Sequence, residues 1–374
     1  MERRVLGKTG LSASVIGFGC WHILEISSME AEKLILYYLD RGGNYIDTAD
    51  SYGNGESEIK VGRAISGRRS EVILATKTDA RDKGGCLASI DTSLRRLNTD
   101  YIDVYIVHAV ASMGELDRIL GPSGAMEGIV KAREEGKVRF IGISMHGQPD
   151  TLIAALRSYP FDIVMPTLNY FDRFNFPEIE QELLPLAMKN NVAVVAMKPL
   201  ADGFLWRSPK EAFRYVMSLP VSVVLTGMNT MEMVRTDLDL ADNFSPLTGE
   251  ERERIYALAP ELGTYVCRQC GKCLPCSQGI DIPYIFRLEG YYDRQMRDGV
   301  IRNPEEYALR EHYRFWYGNS ELAQELYTSV AIKGDSCNSC GECASRCPYG
   351  IDIVRKLKIA HHKLMGTGGG AALF

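Results

Sequence analysis

Eight of the ten cysteines lie beyond residue 266, in two tight runs. The first is Cys267-x2-Cys270-x2-Cys273-x2-Cys276. The second is Cys337-x2-Cys340-x2-Cys343-x3-Cys347, followed by Pro348. Two-residue spacings let three thiolates converge on one side of an iron–sulfur cubane, and in runs of the second kind the fourth cysteine serves the neighbouring cluster. Two runs therefore predict two [4Fe–4S] clusters: one on Cys267, Cys270, Cys273 and Cys347, the other on Cys337, Cys340, Cys343 and Cys276. The shorter last spacing of the first run leaves a single cluster as an alternative. Structural zinc is another, although zinc favours two Cys-x2-Cys halves separated by a dozen or more residues. Gly271 and Gly341 sit inside the runs, where backbone must pass close to inorganic sulfide. Cys20 and Cys86 stand alone and read as inert thiols.

The elements that must position such chemistry alternate regularly. Runs rich in β-branched residues occupy 15–19, 44–47, 72–76, 103–107, 138–142, 162–165, 192–196 and 222–225. Segments of helical periodicity stand between or after them, at about 30–41, 55–65, 85–97, 115–134, 150–157, 177–190, 209–218 and 230–241. In the first of these Ala31, Leu34, Ile35 and Tyr38 share a face, and Ser27-x-x-Glu30 reads as a capping box. Eight strands alternating with eight helices predict a (β/α)8 TIM barrel of class α/β. A doubly wound open sheet competes, weakened by the lack of a G-x-G-x-x-G after the first strand. Residues 4–6 and 11–14 flank a glycine turn and predict a hairpin closing the barrel floor. A short helix is expected at about 249–259. Residues 277–336 are helical in pattern and rich in aromatics: Tyr291, Tyr292, Tyr307, Tyr313, Phe315, Trp316 and Tyr317. The domains expected are a barrel over 1–245, a linker over 246–266, a small, mainly helical ferredoxin-like iron–sulfur domain over 267–365, and a glycine-rich flexible tail over 366–374.

Residues 44–58, Asn-Tyr-Ile-Asp-Thr-Ala-Asp-Ser-Tyr-Gly-Asn-Gly-Glu-Ser-Glu, resemble the signature of the aldo-keto reductases. A lysine ends the third strand in Ala75-Thr76-Lys77, and a histidine ends the fourth in Ile106-Val107-His108. With the cysteine runs, the chain resembles the branch of that family with a C-terminal 4Fe–4S ferredoxin-type domain. The resemblance implies a catalytic tetrad of Asp47, Tyr52, Lys77 and His108. The residues themselves agree, because all four fall at or just past strand C-termini, the rim where barrels keep their active sites. Carbonyl reduction needs hydride at carbon and a proton at oxygen. An ammonium at Lys77 would stabilise the phenolate of Tyr52 and make it a better proton donor. Asp47 would hold Lys77 charged, and His108 would hydrogen-bond the substrate oxygen.

For NADP(H) or NAD(H) the resemblance implies contacts at Ser144, Met145, Met165, Met197, Lys198, Gly227, Met228, Thr230 and Asp237. Met145 stands where the family has Asn, Met165 where it has Gln, and Asp237 where it has Asn. Weak nicotinamide binding is therefore expected. Residues 227–230 precede a helix whose N-terminus suits a phosphate. His146, Trp21 and His22 are further candidates to line the substrate pocket, with ordinary packing the alternative. The basic stretch 355–363 reads as a solvated helix face.

The net charge of −5 and pI near 5.8 argue against a nucleic-acid partner. No apolar stretch is long enough to span a membrane. The N-terminus lacks the apolar core of a secretion signal, which predicts a cytoplasmic protein. The expected partners are a small carbonyl or alcohol substrate and an electron-transfer protein. The alternative is a redox-responsive binding or electron-transfer module without carbonyl turnover.

Overall fold

The computed structural model describes residues 1–296, 308–312 and 318–366. Two strands come first, β1 (Arg3–Val5) and β2 (Ser12–Ser14), paired antiparallel. Eight parallel strands follow: β3 (Ile16–Gly19), β4 (Tyr45–Asp47), β5 (Ile73–Thr78), β6 (Ile102–Val107), β7 (Val138–Met145), β8 (Ile163–Pro166), β9 (Ala193–Met197) and β10 (Val223–Gly227). They close into a barrel, with β10 pairing back onto β3 through Val224 opposite Ile16. That pairing excludes the open-sheet alternative.

The strands form where β-branched runs can be buried on both faces. Every residue of β5 and β6 is buried, as parallel strands under helices require. Inward-facing Tyr45, Ala75, Val104, Ile106, Ile163, Met165, Val195, Met197, Val223 and Leu225 make one core cluster. Leu6 and Ala13 of the hairpin join it from the N-terminal side, so the hairpin plugs the barrel floor as expected. The Ser27–Glu30 capping box is formed, and it starts the helix Ser28–Asp40. Tyr38 on that helix hydrogen-bonds the carbonyls of Ile16 and Tyr45 at 2.8 and 3.0 Å, pinning the first two barrel strands together.

Two expected helices differ. The segment 115–134 is two helices, Met113–Leu120 and Ala125–Glu134. Pro122 lacks an N–H and disfavours helix in the residue before it. Gly124 fits because a Cβ there would meet the carbonyl oxygen of Ile119 at 2.3 Å. The segment 177–190 opens as a wider π turn, Ile179–Leu183, before the helix Leu184–Lys189, because Pro185 cannot donate to residue 181.

The chain divides into two compact units. The first holds Met1–Leu168, Glu178–Pro199 and Phe213–Pro246. The second holds Leu247–Phe374 together with Asn169–Pro177 and Leu200–Ala212, the stretches that follow β8 and β9. Within the second unit the Tyr170 hydroxyl lies 2.5 Å from Ser208 Oγ, and both reach Glu261, at 3.2 and 3.0 Å. Asp172 pairs with the fully buried Arg294 at 3.1 Å. Asn175 accepts from Gln295 at 3.1 Å, and Gln295 in turn accepts from the Cys267 N–H at 2.8 Å.

Residues 247–266 carry the helix Gly249–Leu258, capped by Thr248 and Glu251. The spacer between the cysteine runs is helical over Ile282–Asp293 and Ser320–Thr328. The last described helix is Ile353–Leu364. The basic stretch on it is not a purely solvated face: Lys356 and Lys363 both close on the buried carboxylate of Glu289, at 2.6 and 3.0 Å. Burial pushes the Glu289 carboxyl up, but the Lys356 and Lys363 ammonium groups outweigh this and hold it below the usual carboxylate range. Tyr307, Tyr313, Phe315, Trp316, Tyr317 and tail residues 367–374 lie outside the described residues. Among the described residues no helix is long and apolar enough to cross a membrane.

Candidate active site and cysteine pockets

Asp47 ends β4, Lys77 lies on β5, His108 follows β6, and Tyr52 opens the short turn Tyr52–Gly55 after β4. Strand register brings the first two together, because Asp47 pairs with Ala75 and the chain beyond Asp47 runs alongside Lys77. Lys77 Nζ donates to the Asp47 carboxylate, to the Thr48 carbonyl at 2.7 Å and to the Tyr52 hydroxyl at 3.3 Å. Lys77 and Asp47 are sealed from solvent. Burial pushes the Lys77 ammonium down, but Asp47 and then Tyr52 outweigh it and raise it, so the lysine stays charged. Burial raises the Asp47 carboxyl, with Lys77 opposing.

Tyr52 departs from the simple expectation. Burial raises its hydroxyl above the ordinary phenol value and outweighs the lowering by Lys77. The phenol therefore holds its proton across the neutral range, and the ammonium limits how far burial can push it.

Around Tyr52 the rings form a chain of edge-on contacts. Trp21 lies 4.9 Å from it, His108 lies 5.9 Å on the other side, and His146 lies 6.0 Å beyond His108. Trp21 and His146 thus pack edge-on in one row with Tyr52 and His108, while His22 pairs with Glu25 at 3.0 Å. One group escaped the sequence reading. Asp79, just after β5, places a carboxylate oxygen 2.9 Å from His108 Nδ1. An aspartate after a strand carries no sequence signal of such a role.

All the nucleotide-contact candidates except Asp237 lie at or just past the C-terminal ends of β7, β8, β9 and β10. Ser144 and Met145 end β7 and are buried. Ser144 Oγ accepts the Ala109 N–H at 3.0 Å, so it ties down the chain after β6 and keeps its own proton to donate. Met165 lies wholly inside the core cluster with Met197. Lys198 follows with a left-handed φ of 57°. Gly227 is exposed, Met228 is buried, and Thr230 caps the helix Met231–Asp242 by accepting the Met233 N–H at 3.2 Å. Asp237 lies on that helix, its carboxyl pushed up to about 7 by burial, against a lowering by Thr226. The Thr167 hydroxyl, two residues past Met165, is buried without a hydrogen-bond partner among the described residues.

The cysteines line two pockets in the second unit. One is lined by Cys267, Cys270, Cys273 and Cys347 with Phe286 and Ile353. The other is lined by Cys276, Cys337, Cys340 and Cys343 with Arg346 and Leu357. Each run thus supplies three cysteines to one pocket and one to the other. Among the described residues no group of three or more His, Cys, Asp or Glu side chains is closed up to hold a single metal ion. Gly271 and Gly341 have φ of 70° and 79° and nothing within 4 Å of an added Cβ. Left-handed backbone, rather than close approach, is what calls for glycine there. Cys20 and Cys86 are buried, and burial raises both thiols, well above the ordinary value for Cys20 and to about 12 for Cys86.

Residues 15–218 match the profile of the Aldo/keto reductase family, a match that ends before the first cysteine run. The oxidoreductase YqkF of Bacillus subtilis (strain 168) is 30% identical over 260 residues, covering 65% of this chain and 81% of the relative. The aldo-keto reductase YhdN of the same organism is 34% identical over 237 residues, covering 58% and 67%. Among solved structures, the holo form of aldo-keto reductase AKR11C1 from Bacillus halodurans is 29% identical with a TM-score of 0.61, covering 69% of this chain and 96% of that one. An aldo-keto reductase from Klebsiella pneumoniae in complex with NADPH is 25% identical with a TM-score of 0.59, covering 70% and 96%. On these matches, together with the closed parallel barrel, the chain belongs to the aldo/keto reductase family and is an oxidoreductase of that type.

Proposed function

We propose that the chain interconverts a small carbonyl compound and its alcohol with NADP(H) or NAD(H), using Tyr52 as proton donor, and that it carries two [4Fe–4S] clusters. The observation that supports this best is the buried Lys77 ammonium, held by Asp47 and set 3.3 Å from the Tyr52 hydroxyl. A binding module without turnover has no use for a buried charge pair aimed at a phenol, since removing such charges is often neutral or stabilising.

The bound nicotinamide supplies the hydride. Tyr52 holds the proton that the carbonyl oxygen needs, and Lys77 stabilises the phenolate left behind. His108 takes a hydrogen bond with the same oxygen. The Ser144 and Thr167 hydroxyls, one with a proton to give and one without a partner, fit the carboxamide of a nicotinamide better than Met145 and Met165 do. NADP(H) is favoured by relatives: the Klebsiella enzyme is seen with NADPH, and a Schizosaccharomyces pombe relative is described as an NADP(+) enzyme.

For the clusters, Cys267, Cys270, Cys273 and Cys347 would hold one and Cys276, Cys337, Cys340 and Cys343 the other. They would supply one-electron chemistry or structural order, and in the former case an electron-transfer protein would be the partner. Anaerobic purification with metal analysis, nucleotide extraction and NADPH consumption on p-nitrobenzaldehyde tests the reading. Iron, bound nicotinamide nucleotide and turnover are expected. Stoichiometric zinc would overturn the cluster assignment, and absence of turnover the catalytic one.

A further inference from the structure

The 2.9 Å contact between Asp79 and His108 has a chemical requirement. A neutral imidazole carries one proton, on either Nδ1 or Nε2. An Nδ1 lone pair facing a carboxylate at that distance would be repelled, so the contact needs the proton on Nδ1. The N–H does not align as a linear hydrogen bond, so the attraction is that of the carboxylate for a nearby N–H dipole, and becomes a charge pair only when the ring is protonated. Asp79 also takes a hydrogen bond from Ser51, the neighbour of Tyr52, and His108 foremost holds its carboxyl below the usual range. The carboxylate is therefore charged and fixed on two sides.

We propose that Asp79 is a positioning residue that keeps the His108 proton on Nδ1, so that the imidazole meets the substrate oxygen only through Nε2. The proposal rests on the carbonyl–alcohol reading for its consequence. As an imidazolium, His108 donates from Nε2 and suits a carbonyl oxygen. As a neutral ring pinned by Asp79, it presents a lone pair at Nε2, which repels a carbonyl and accepts from an alcohol. A histidine free to choose its tautomer would keep an Nε2–H and bind the carbonyl at every pH. Asp79 thus makes His108 select the oxidation level of the substrate: carbonyl when the ring is charged, alcohol when it is neutral.

The other groups facing His108 are consistent with this selection. The Asp47 and Asp50 carboxylates are the other acidic groups near it, and the His108 ring lowers both of them. The Arg81 guanidinium donates to the His108 carbonyl at 2.8 Å and so opposes the charge. Lys77 is occupied by Asp47 and Tyr52. Tyr52 and His146 meet the ring edge-on and supply no fixed charge there.

Long-range 15N–1H correlation spectra of histidine-labelled protein read the tautomer directly, with His108→Gln assigning the signal. At alkaline pH the wild-type ring is expected as the Nδ1–H form. Asp79→Asn and Asp79→Ala are expected to move it toward the Nε2–H form. In parallel, the KM for p-nitrobenzaldehyde with NADPH should rise about tenfold between pH 6 and 9 in the wild type, the scale of one hydrogen bond, and stay flat in Asp79→Asn. A purely structural Asp79 would change the level of activity without flattening the profile. An Nε2–H ring in the wild type, or a tautomer indifferent to Asp79, overturns the proposal. If the aldehyde is not turned over but the tautomer shifts as expected, the carbonyl reading fails and the role of Asp79 stands.

Discussion

Lys77 Nζ stands 3.3 Å from the Tyr52 hydroxyl while its charge is held by the Asp47 carboxylate, in a setting where burial alone would drive the phenol far above its ordinary value. The phenol keeps its proton until a substrate oxygen takes it, and the ammonium then faces the phenolate. Tyr52→Phe keeps the ring and its contacts with Trp21 and His108 but removes the proton. Turnover should fall by at least about 10²-fold, the scale of one general acid, with nicotinamide nucleotide binding unchanged in fluorescence titration. Near-normal turnover would put the donor elsewhere, with His108 the first suspect.

The reciprocal lining of the two cysteine pockets makes a test by single replacement. Two clusters mean about eight iron atoms per chain after anaerobic reconstitution. Cys347→Ser sits at the end of the second run, yet it should remove the cluster served by Cys267, Cys270 and Cys273 and leave about four irons. EPR of the reduced protein would report which spectrum remains. Loss of the cluster held by Cys337, Cys340 and Cys343 instead would show that each run keeps its own.

A nicotinamide carboxamide placed against Met145 and Met165 would lose water without gaining partners, at roughly 1–3 kcal/mol for each unmatched group. The buried Thr167 and Ser144 hydroxyls are the polar groups at hand. Thr167→Val should then weaken NADPH binding by about fivefold or more. Met145→Asn combined with Met165→Gln should tighten it by about tenfold. Isothermal titration calorimetry of both variants decides the matter. An unchanged Thr167→Val would mean that other groups read the amide.

Asp237 gives a pH dependence with a definite sign. Its folded carboxyl titrates at about 7, above the ordinary 3.8. Between those values the folded chain binds the proton and the unfolded chain does not, so stability falls as pH rises from about 4 to 7. Asp237→Asn should remove that loss. The variant should be more stable than the wild type above pH 8, by at most about 2–3 kcal/mol because the side chain is only half-buried and solvent screens its charge, and the two should converge below pH 4. Denaturant unfolding across that range measures it, and a constant difference would contradict this account.

The barrel was legible because its strands are buried on both faces. A run such as 102–107 has nowhere else to go, and its β-branched residues say so. Asp47, Lys77 and His108 were legible because they fit the aldo-keto reductase pattern and each also falls at a strand end, the rim where barrels keep their sites. Less local features were hidden. Helical periodicity ran through 115–134, but a single proline broke it. Asp79 looks like any loop carboxylate until the β5 and β6 ends bring it to His108. The direction of the Tyr52 shift depends on how much solvent the fold excludes, which no spacing records. The lysines of 355–363 read as surface charge because their partner, Glu289, lies some seventy residues earlier.

The membership of Asn169–Pro177 and Leu200–Ala212 in the second unit has a consequence for synthesis. These stretches leave the ribosome well before Glu261, Arg294 and Gln295, the residues they settle against. At roughly 5–20 residues per second, Asp172 and Asn175 wait roughly 6 to 25 s for Arg294 and Gln295 to be made. During that interval β8 and β9 end in two stretches whose aromatic side chains, Tyr170, Phe171, Phe174, Phe176 and Phe204, have no finished surface to cover them. Transiently exposed apolar surface of this kind is what makes an unfinished chain prone to aggregation, and the length of chain between these stretches and their partners sets how long it stays exposed.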